Sequence, residues 1–192
     1  MAEYEIVLSV GSNIPLARGN AAEDAVGKAL EDAADSGAST HARLASQDLV
    51  QAVITRLGSQ VQAASHIYTS APWGGVEQPE FFNATVLVRT ELAPLDFLHE
   101  MQAWELEFGR RRLQHWGPRT LDIDLIQVRS GGEEVTSTDP ELLLPHPYAQ
   151  QRAFVLLPWA EIEPDAELAG QPIVQLLAKL EEDSAQMKML GA

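Results

Sequence analysis

Cysteine is absent from this chain of 192 residues, and basic residues are few. Without cysteine, the protein has no disulfide bond, no thiolate metal site and no catalytic thiol. The 13 Lys and Arg residues stand against 28 Asp and Glu residues, which gives a formal net charge of −15. A surface this negative repels polyanions, so we expect neither nucleic acid nor an anionic membrane as a partner.

Long apolar runs and glycine-rich phosphate loops are missing as well. No apolar run approaches the length that spans a bilayer, and residues 1–5 lack the basic and then apolar layout of a signal peptide. The chain contains neither the P-loop pattern nor the GxGxxG pattern of dinucleotide-binding folds. We therefore expect a soluble, cytoplasmic protein in which any phosphate site is built from other parts.

What the chain does contain is typical of a globular protein, with 45% apolar and 21% charged residues. Its length predicts a single domain over residues 1–192. Short β-branched segments alternate with a few amphipathic segments, which favours an α+β sandwich with helices on the faces of a sheet. Strands are predicted at 4–10, 61–70, 83–90 and 121–128, a hairpin after Gly132, and helices at 20–34, 44–57, 94–109 and 172–180.

Two aspartates interrupt the strand predicted at 121–128. Asp122 and Asp124 are two positions apart, and alternate residues of a strand point to the same face, so their carboxylates are expected to converge. Paired carboxylates repel each other unless positive charge lies between them, and Mg²⁺ prefers such hard oxygen ligands. The pattern predicts a Mg²⁺ site, and the alternative is an edge strand whose outer face is merely acidic.

A cluster of arginines precedes this strand. Four of the 13 basic residues fall within ten positions, in a stretch that begins just after Gly109. The guanidinium group matches phosphate oxygens with a fork of donors and stabilises charge that builds up during phosphoryl transfer. The cluster predicts phosphate binding, and the alternative is a solvated charge run that offsets the acidic surface. Its members are Arg110, Arg111, Arg112 and Arg119.

The helix predicted at 94–109 has two different faces. Gln102 and Glu105 share one of them, so they either line a site or belong to a solvated face. Further along the chain, His146 lies between two prolines that restrict its backbone, and both a ligand contact and a structural role are open for it. The other face of the helix is interpreted as core packing and consists of Phe97, Met101, Trp104 and Phe108.

Five sequence blocks occur in a fixed order and carry a family resemblance. The most specific is WGPRTLDID at 116–124, and the others are VGSN at 10–13, IYTSAP at 67–72, QPEFFN at 78–83, and LPHP at 144–147 with RAF at 152–154. Through these blocks, residues 6–164 resemble the 6-hydroxymethyl-7,8-dihydropterin pyrophosphokinases. The resemblance implies a ferredoxin-like α/β/α sandwich with a mainly antiparallel sheet. It also implies transfer of diphosphate from ATP to the pterin hydroxymethyl group, with release of AMP, in folate biosynthesis.

The resemblance further implies roles for individual residues. Asp122 and Asp124 would hold two Mg²⁺ ions that bridge the phosphates, and Arg110 and Arg119 would be the catalytic arginines. The flat pterin ring would lie between two phenylalanine rings, a thin slot with aromatic walls. The implied pterin set, with Phe81 and Phe154 as those rings, is Ser70, Ala71, Pro72, Trp73, Phe81, Asn83, Trp116 and Phe154.

A second implied set surrounds ATP. ATP and the pterin are then the expected partners, and the protein is expected to act as a monomer. Residues 73–80 and 110–118 are irregular and would close over the substrates to exclude water. The implied ATP set is Gln102, Glu105, Arg112, Trp116, Arg119, Ile123, His146, Tyr148 and Arg152.

The chain departs from the family pattern in several places, and at residues 71–75 the geometry of the substrate loop is expected to differ. Residues 14–60 are longer than usual by a helical segment, which leaves open which segment pairs as the second strand. Phe81 stands where the family often has tyrosine, and stacking is retained without the hydroxyl. Glu141 stands where some relatives carry a basic residue near ATP, which predicts weaker nucleotide binding.

Two other functions remain compatible with the pattern. One is another Mg²⁺-dependent nucleotidyl or phosphoryl transferase with a different acceptor. The other is a ferredoxin-like domain that only binds a small molecule. A degenerate relative of this second kind would be expected to lose Asp122, Asp124 or Arg119, and the chain has all three.

Overall fold

The computed structural model describes residues 3–14, 45–72, 78–110 and 119–191. The helix predicted at 20–34, most of the longer segment at 14–60 and the greater part of both irregular stretches lie outside these ranges. So do four residues of the sequence-based predictions, which are Trp73, Arg111, Arg112 and Trp116.

Strands and helices alternate along the described segments. The strands are β1 (Tyr4–Ser12), β2 (Val61–Ala64), β3 (Tyr68–Ser70), β4 (Phe81–Thr90), β5 (Asp122–Ser130), β6 (Glu133–Glu134), β7 (Ser137–Asp139), β8 (Leu142–Leu144), β9 (Glu167–Leu168), β10 (Gln171–Pro172) and β11 (Lys188–Met189). The helices are α1 (Ser46–Leu57), α2 (Pro94–Glu107), α3 (Ala153–Ile162), α4 (Ile173–Ala178) and α5 (Glu181–Ala185). Short 3₁₀ turns occur at Gly58–Gln60 and Ala149–Gln151.

Within the described residues, a seven-stranded sheet forms the centre of the fold. Its strands follow the order β11–β3–β4–β1–β5–β6, and β2 also pairs with β4. Each of these pairings is antiparallel, as predicted. The first strand lies in the middle because its β-branched and apolar residues suit a position that is covered on both faces.

Residues 61–70 were predicted as one strand, and this prediction was wrong. They form two short strands, β2 and β3, which pair with different parts of β4. At the break, the N–H of Ser65 donates to the carbonyl of Thr85 at 3.0 Å, and its hydroxyl accepts from the Thr85 N–H at 3.0 Å. A serine side chain thus takes the place of a backbone partner, which residue periodicity does not reveal.

One face of the sheet packs against α1 and α2. Ile6, Leu8 and Val10 of β1 point to this side and belong to a fully buried core with Leu49 of α1. The apolar stripe of α2 is buried in the same core, as its spacing predicted. Proline occupies the first turn of α2, where its missing N–H costs nothing.

The other face packs against α3 and α4. Val7 and Ile126 point to this side and are buried with Trp159 of α3 and Ile173 of α4. Helices therefore cover both faces of the sheet, which is the predicted sandwich. The helix predicted at 172–180 is shorter than expected, because α4 ends at Ala178 and α5 follows. Among the described residues, no helix combines the length and apolarity needed to cross a membrane.

Candidate active site

The floor of the candidate site is the polar end of the three central strands. On β1, Ser9 pairs with Asp124 of β5, and Gly11 lies between Asp122 on one side and Asn83 of β4 on the other. These positions alternate with the core residues of β1, so they face the side of the sheet that α3 covers. Helix α3 begins only at Ala153 and leaves this end of the sheet open.

A cleft of about 550 Å³, including its solvent-filled mouth, lies above this floor. It brings together most of the residues predicted for the pterin, while Pro72 lines a neighbouring cavity instead. The sequence assigned no role to Ser9, nor to Gly11 and Gln78, which appear only within the VGSN and QPEFFN blocks. The complete lining is Ser9, Gly11, Ser70, Ala71, Gln78, Phe81, Asn83, Arg119, Asp122, Asp124, Arg152 and Phe154.

Gly11 is required by the close approach of β4. A Cβ atom at this position would lie 3.1 Å from Oδ1 of Asn83 and 3.8 Å from the ring of Phe81. Any larger residue would therefore fill the space between the strand and the aromatic wall of the cleft. In the sequence, Gly11 appears only as part of the VGSN block, and a glycine at the end of a strand was the available signal for close packing.

A second cleft of about 720 Å³ adjoins the first and shares Asp124 with it. Four residues predicted for ATP line this cleft. Arg119 and Arg152, also predicted for ATP, lie on the first cleft, and Tyr148 lines neither. The lining of the second cleft is Leu98, Gln102, Glu105, Arg110, Ile123, Asp124, Leu125, Pro140, Glu141, Leu142, Leu143, His146 and Pro147.

Arginines pair with both aspartates in the structure. Asp122 forms ion pairs with Arg119 and with Arg110, whose Nη2 lies 2.9 Å from Oδ1. Asp124 accepts a hydrogen bond of 2.9 Å from Nη1 of Arg152. Burial raises the pKa of Asp122, and the charge of Asp124 raises it further, against the opposing effect of the two arginines. At Asp122, burial and the neighbouring carboxylate thus outweigh the two arginines.

His146 lies at the boundary of the two clefts. Its Nε2 is 3.9 Å from Oδ2 of Asp124, and its Nδ1 accepts a hydrogen bond of 3.2 Å from the N–H of Tyr148. Burial lowers the pKa of His146, so the neutral imidazole dominates at neutral pH. A neutral ring whose Nδ1 is an acceptor carries its proton on Nε2, which directs an N–H donor into the cleft.

Glu105 is a buried acid, and the alternative of a solvated helix face was wrong for it. Its side chain is 5% exposed, and Oε1 accepts a hydrogen bond of 2.7 Å from the N–H of Ile123. The same carboxylate pairs with the guanidinium of Arg110. Burial, the largest cause, raises the pKa of Glu105 to about 7. Glu105 on α2 therefore holds the backbone of Ile123, between the two aspartates, in place by a hydrogen bond.

Asn13 connects the two sides of the first cleft by hydrogen bonds. Its Nδ2 donates to Oε1 of Gln78 at 3.0 Å and to the carbonyl of Pro79 at 3.1 Å. Its Oδ1 accepts from the N–H of Arg119 at 2.8 Å, and its own N–H donates to the Arg119 carbonyl at 3.1 Å. One buried amide thus anchors the ends of both irregular stretches. In the sequence, Asn13 appears only as the last residue of the VGSN block, which does not reveal this role.

The sequence of the 7,8-dihydro-6-hydroxymethylpterin-pyrophosphokinase (HPPK) family matches residues 7–164 of the chain. The chain belongs to this family. Among curated relatives, the 2-amino-4-hydroxy-6-hydroxymethyldihydropteridine pyrophosphokinase of Mycobacterium tuberculosis strain H37Rv is 45% identical over 142 residues, which cover 69% of this chain and 76% of the relative. The enzyme of the same description from Pseudomonas aeruginosa is 45% identical over 121 residues, covering 62% and 72%.

Solved structures of the HPPK family share the fold at low sequence identity. Wild-type HPPK-DHPS of Plasmodium falciparum matches with a TM-score of 0.57 at 13% identity and covers 98% of this chain. Its structure with SDX-DHP matches with a TM-score of 0.58 at 14% identity, again over 98% of the chain. The chain spans about half the length of these solved chains, 48% in each case. The α+β fold class predicted from the sequence is confirmed.

Proposed function

We propose that this chain transfers diphosphate from Mg²⁺-bound ATP to the hydroxymethyl group of 6-hydroxymethyl-7,8-dihydropterin and releases AMP. Pyrophosphokinase activity on a pterin in folate biosynthesis follows from membership of the family. The assignment of the two clefts, of the metal and of the residue roles is the proposal. The observation that supports it most is a pair of clefts that meet at Asp124, one of them lined by two phenylalanine rings.

The first cleft is assigned to the pterin. Phe81 and Phe154 provide aromatic surface for a flat ring, and polar groups at the floor provide its hydrogen bonds. Nδ2 of Asn83 already donates to the hydroxyl of Ser70 at 2.9 Å, so its Oδ1 is the acceptor that faces the cleft beside Gly11. A ring amino group or N–H would donate to this oxygen.

The second cleft is assigned to ATP. Its Asp124 end carries Arg110 and the Nε2 of His146, which suit phosphate oxygens. Its apolar lining residues, among them Leu98, Leu142 and Leu143, suit the adenine base. With phosphates at the junction, the β-phosphorus would lie beside the first cleft, where the pterin hydroxyl enters.

The residues at the junction fit Mg²⁺. Asp122 and Asp124 offer hard oxygen ligands on one side of a strand. Oδ1 of Asp122 is buried and forms an ion pair with Arg110, but it accepts no well-directed hydrogen bond among the described residues. The described residues contain no group of three or more His, Cys, Asp or Glu side chains suited to a metal. Mg²⁺ is commonly bound by one or two carboxylates with water and substrate phosphates, so this pair is sufficient. When bound, two such ions would neutralise phosphate charge.

The protein itself contributes position and charge to the reaction. Arg110 and Arg119 flank Asp122 and would stabilise the charge that develops on the transferred group. Glu105 fixes the backbone of Ile123, and with it the direction of both aspartates. Asn13 joins the borders of the cleft and helps to exclude water, which would otherwise compete for the phosphorus.

The test is AMP release from Mg²⁺-ATP with and without the pterin. We expect AMP release that requires both the pterin and Mg²⁺, and a loss of at least about 100-fold in Asp122→Asn and Asp124→Asn. Asp165→Asn removes a distant, exposed carboxylate and serves as the charge-matched control. Nucleotide binding without pterin-dependent AMP release would favour a transferase with another acceptor, and near-normal rates in both variants would refute the metal site.

A further inference from the structure

The last strand of the chain returns to the candidate pterin cleft. Residues after 164 lie beyond the part that matches the family, yet β11 pairs with β3 at the edge of the main sheet. The register places Lys188 opposite Thr69 and Met189 opposite Tyr68. The N–H of Leu190 extends the ladder by donating to the carbonyl of Ile67 at 2.8 Å.

Strand β3 continues directly into the wall of the cleft. Ser70 ends the strand, and its hydroxyl accepts the hydrogen bond from Asn83. Ser70 and Ala71 then line the cleft. The neighbours of β3 in the sheet are the first residues of β4 on one side and β11 on the other. Without β11, this three-residue strand would become the edge of the sheet, held by a single neighbour.

The C-terminal segment also lies behind the cleft wall. A cavity of about 400 Å³ is lined on one side by Ser70, Ala71 and Phe154, which also line the pterin cleft. Its other side is formed by side chains of residues 183–187, among them Met187. Ser70, Ala71 and Phe154 therefore form a thin wall, with the proposed pterin slot in front and the C-terminal segment behind.

The last strand is attached separately from the rest of the C-terminal region. Ile173 and Leu176 of α4 are buried in the core formed with Trp159 of α3. Strand β11 has both of its residues exposed and adds backbone hydrogen bonds at the sheet edge. A substitution in this segment can therefore disrupt the pairing of β11 with β3 without changing a residue of the core.

We propose that residues 181–191 are a positioning element of the pterin cleft. By pairing with β3, β11 holds residues 70–72 at a fixed distance from Phe154, and this sets the width of the slot for a flat ring. The inference rests on the proposed assignment of the first cleft to the pterin. Without the pairing, residues 70–72 sample more conformations. Binding of the pterin ring must then restrict them, and this loss of conformational entropy weakens the affinity. The second cleft does not share this wall, so nucleotide binding is independent of it.

Leu190→Pro tests the inference, because proline has no N–H to donate to Ile67. Met189→Pro is the matched control. In an antiparallel ladder, hydrogen-bonded pairs alternate with non-hydrogen-bonded pairs, so the N–H of Met189 points away from β3, toward the open edge. Kd values for the pterin and for ATP are measured by calorimetry, with thermal unfolding alongside. We expect Leu190→Pro to raise the pterin Kd about five- to tenfold, the effect of one lost backbone hydrogen bond, and to leave the ATP Kd unchanged.

An unchanged pterin Kd in Leu190→Pro, or an equal rise in the ATP Kd, would overturn the inference. If Leu190→Pro does not fold, Met187→Ala replaces it, because it removes only a side chain behind the wall. A rise of about two- to threefold in pterin Kd is then expected, and no rise would overturn the inference. Failure of the proposed function is distinct, since the unmodified protein would then lack pterin-dependent AMP release.

Discussion

Single side chains at the junction of the two clefts act mainly by holding other groups in place. Glu105 is the clearest case, because its buried carboxylate accepts the N–H of Ile123 between the two aspartates. A carboxylate in such a place is costly, as its pKa of about 7 indicates. The backbone N–H and Arg110 offset part of that cost.

Two substitutions of Glu105 distinguish the contribution of its hydrogen bond to stability from the contribution of its charge. Glu105→Ala leaves the buried N–H of Ile123 without an acceptor, and we expect a loss of about 1–3 kcal/mol in the free energy of unfolding. Glu105→Gln keeps an acceptor oxygen and should stay within about 1 kcal/mol of the unmodified protein. Urea unfolding measures both, and equal losses in the two variants would show that the charge, not the acceptor, matters.

Phe154 is expected to serve the pterin and not ATP. Phe154→Ala removes one aromatic wall of the first cleft, which the second cleft does not share. We expect the pterin Kd to rise by at least about tenfold, since a buried stacking contact is worth more than 1 kcal/mol, with an unchanged ATP Kd. Calorimetry on each ligand provides the comparison, and the reverse result would exchange the assignments of the two clefts.

At the scale of elements, one side-chain contact joins β3 to α3. The Tyr68 hydroxyl donates to Oε2 of Glu161 at 2.9 Å, and His66 pairs with the same carboxylate. Strand β3 lines the cleft at its end and α3 carries Phe154 at its start, so this contact fixes two elements that form the site. Burial, followed by the bond to Glu161, raises the pKa of Tyr68 to about 12.

The Tyr68 contact predicts a specific alkaline transition. The folded state binds the phenolic proton more tightly than the unfolded state, so this stabilisation is complete below pH 10 and is lost as the pH rises to about 12. We expect an ultraviolet titration of the folded protein to contain a phenolate step near 12 that is missing in Tyr68→Phe. The variant should also lose about 1–2 kcal/mol near neutral pH. A titration unchanged by the substitution would contradict this contact.

At the scale of the whole molecule, the net charge of −15 acts against the folded state. Like charges lie closer together in a compact chain than in an unfolded one, and salt screens this repulsion. We therefore expect the midpoint of thermal unfolding to rise by several degrees between about 0.05 M and about 0.5 M NaCl. Choline chloride should act similarly, because screening depends on ionic strength. A falling midpoint would instead indicate that ion pairs such as Arg129–Glu163 dominate.

The sequence alone determined the α+β class, most of the long elements and the placement of the two aspartates on one face of a strand. Periodicity is a local property, and β1, α2 and β5 follow from it because each buries a regular pattern of apolar residues. The convergence of Asp122 and Asp124 follows in the same way, since it requires only the two-residue repeat of a strand. The family resemblance added the pterin and ATP, which no spacing could identify.

Tertiary structure alone decided which distant residues meet. Three features depend on contacts between residues 20 to more than 100 positions apart. They are the strand break at Ser65, the hydrogen bonds of the Asn13 side chain and the pairing of β11 with β3. The burial of Glu105 was likewise hidden, because a polar residue on a helix is normally solvated. A single sequence records local preference, whereas these features arise from backbone groups that find a partner only when the chain has folded.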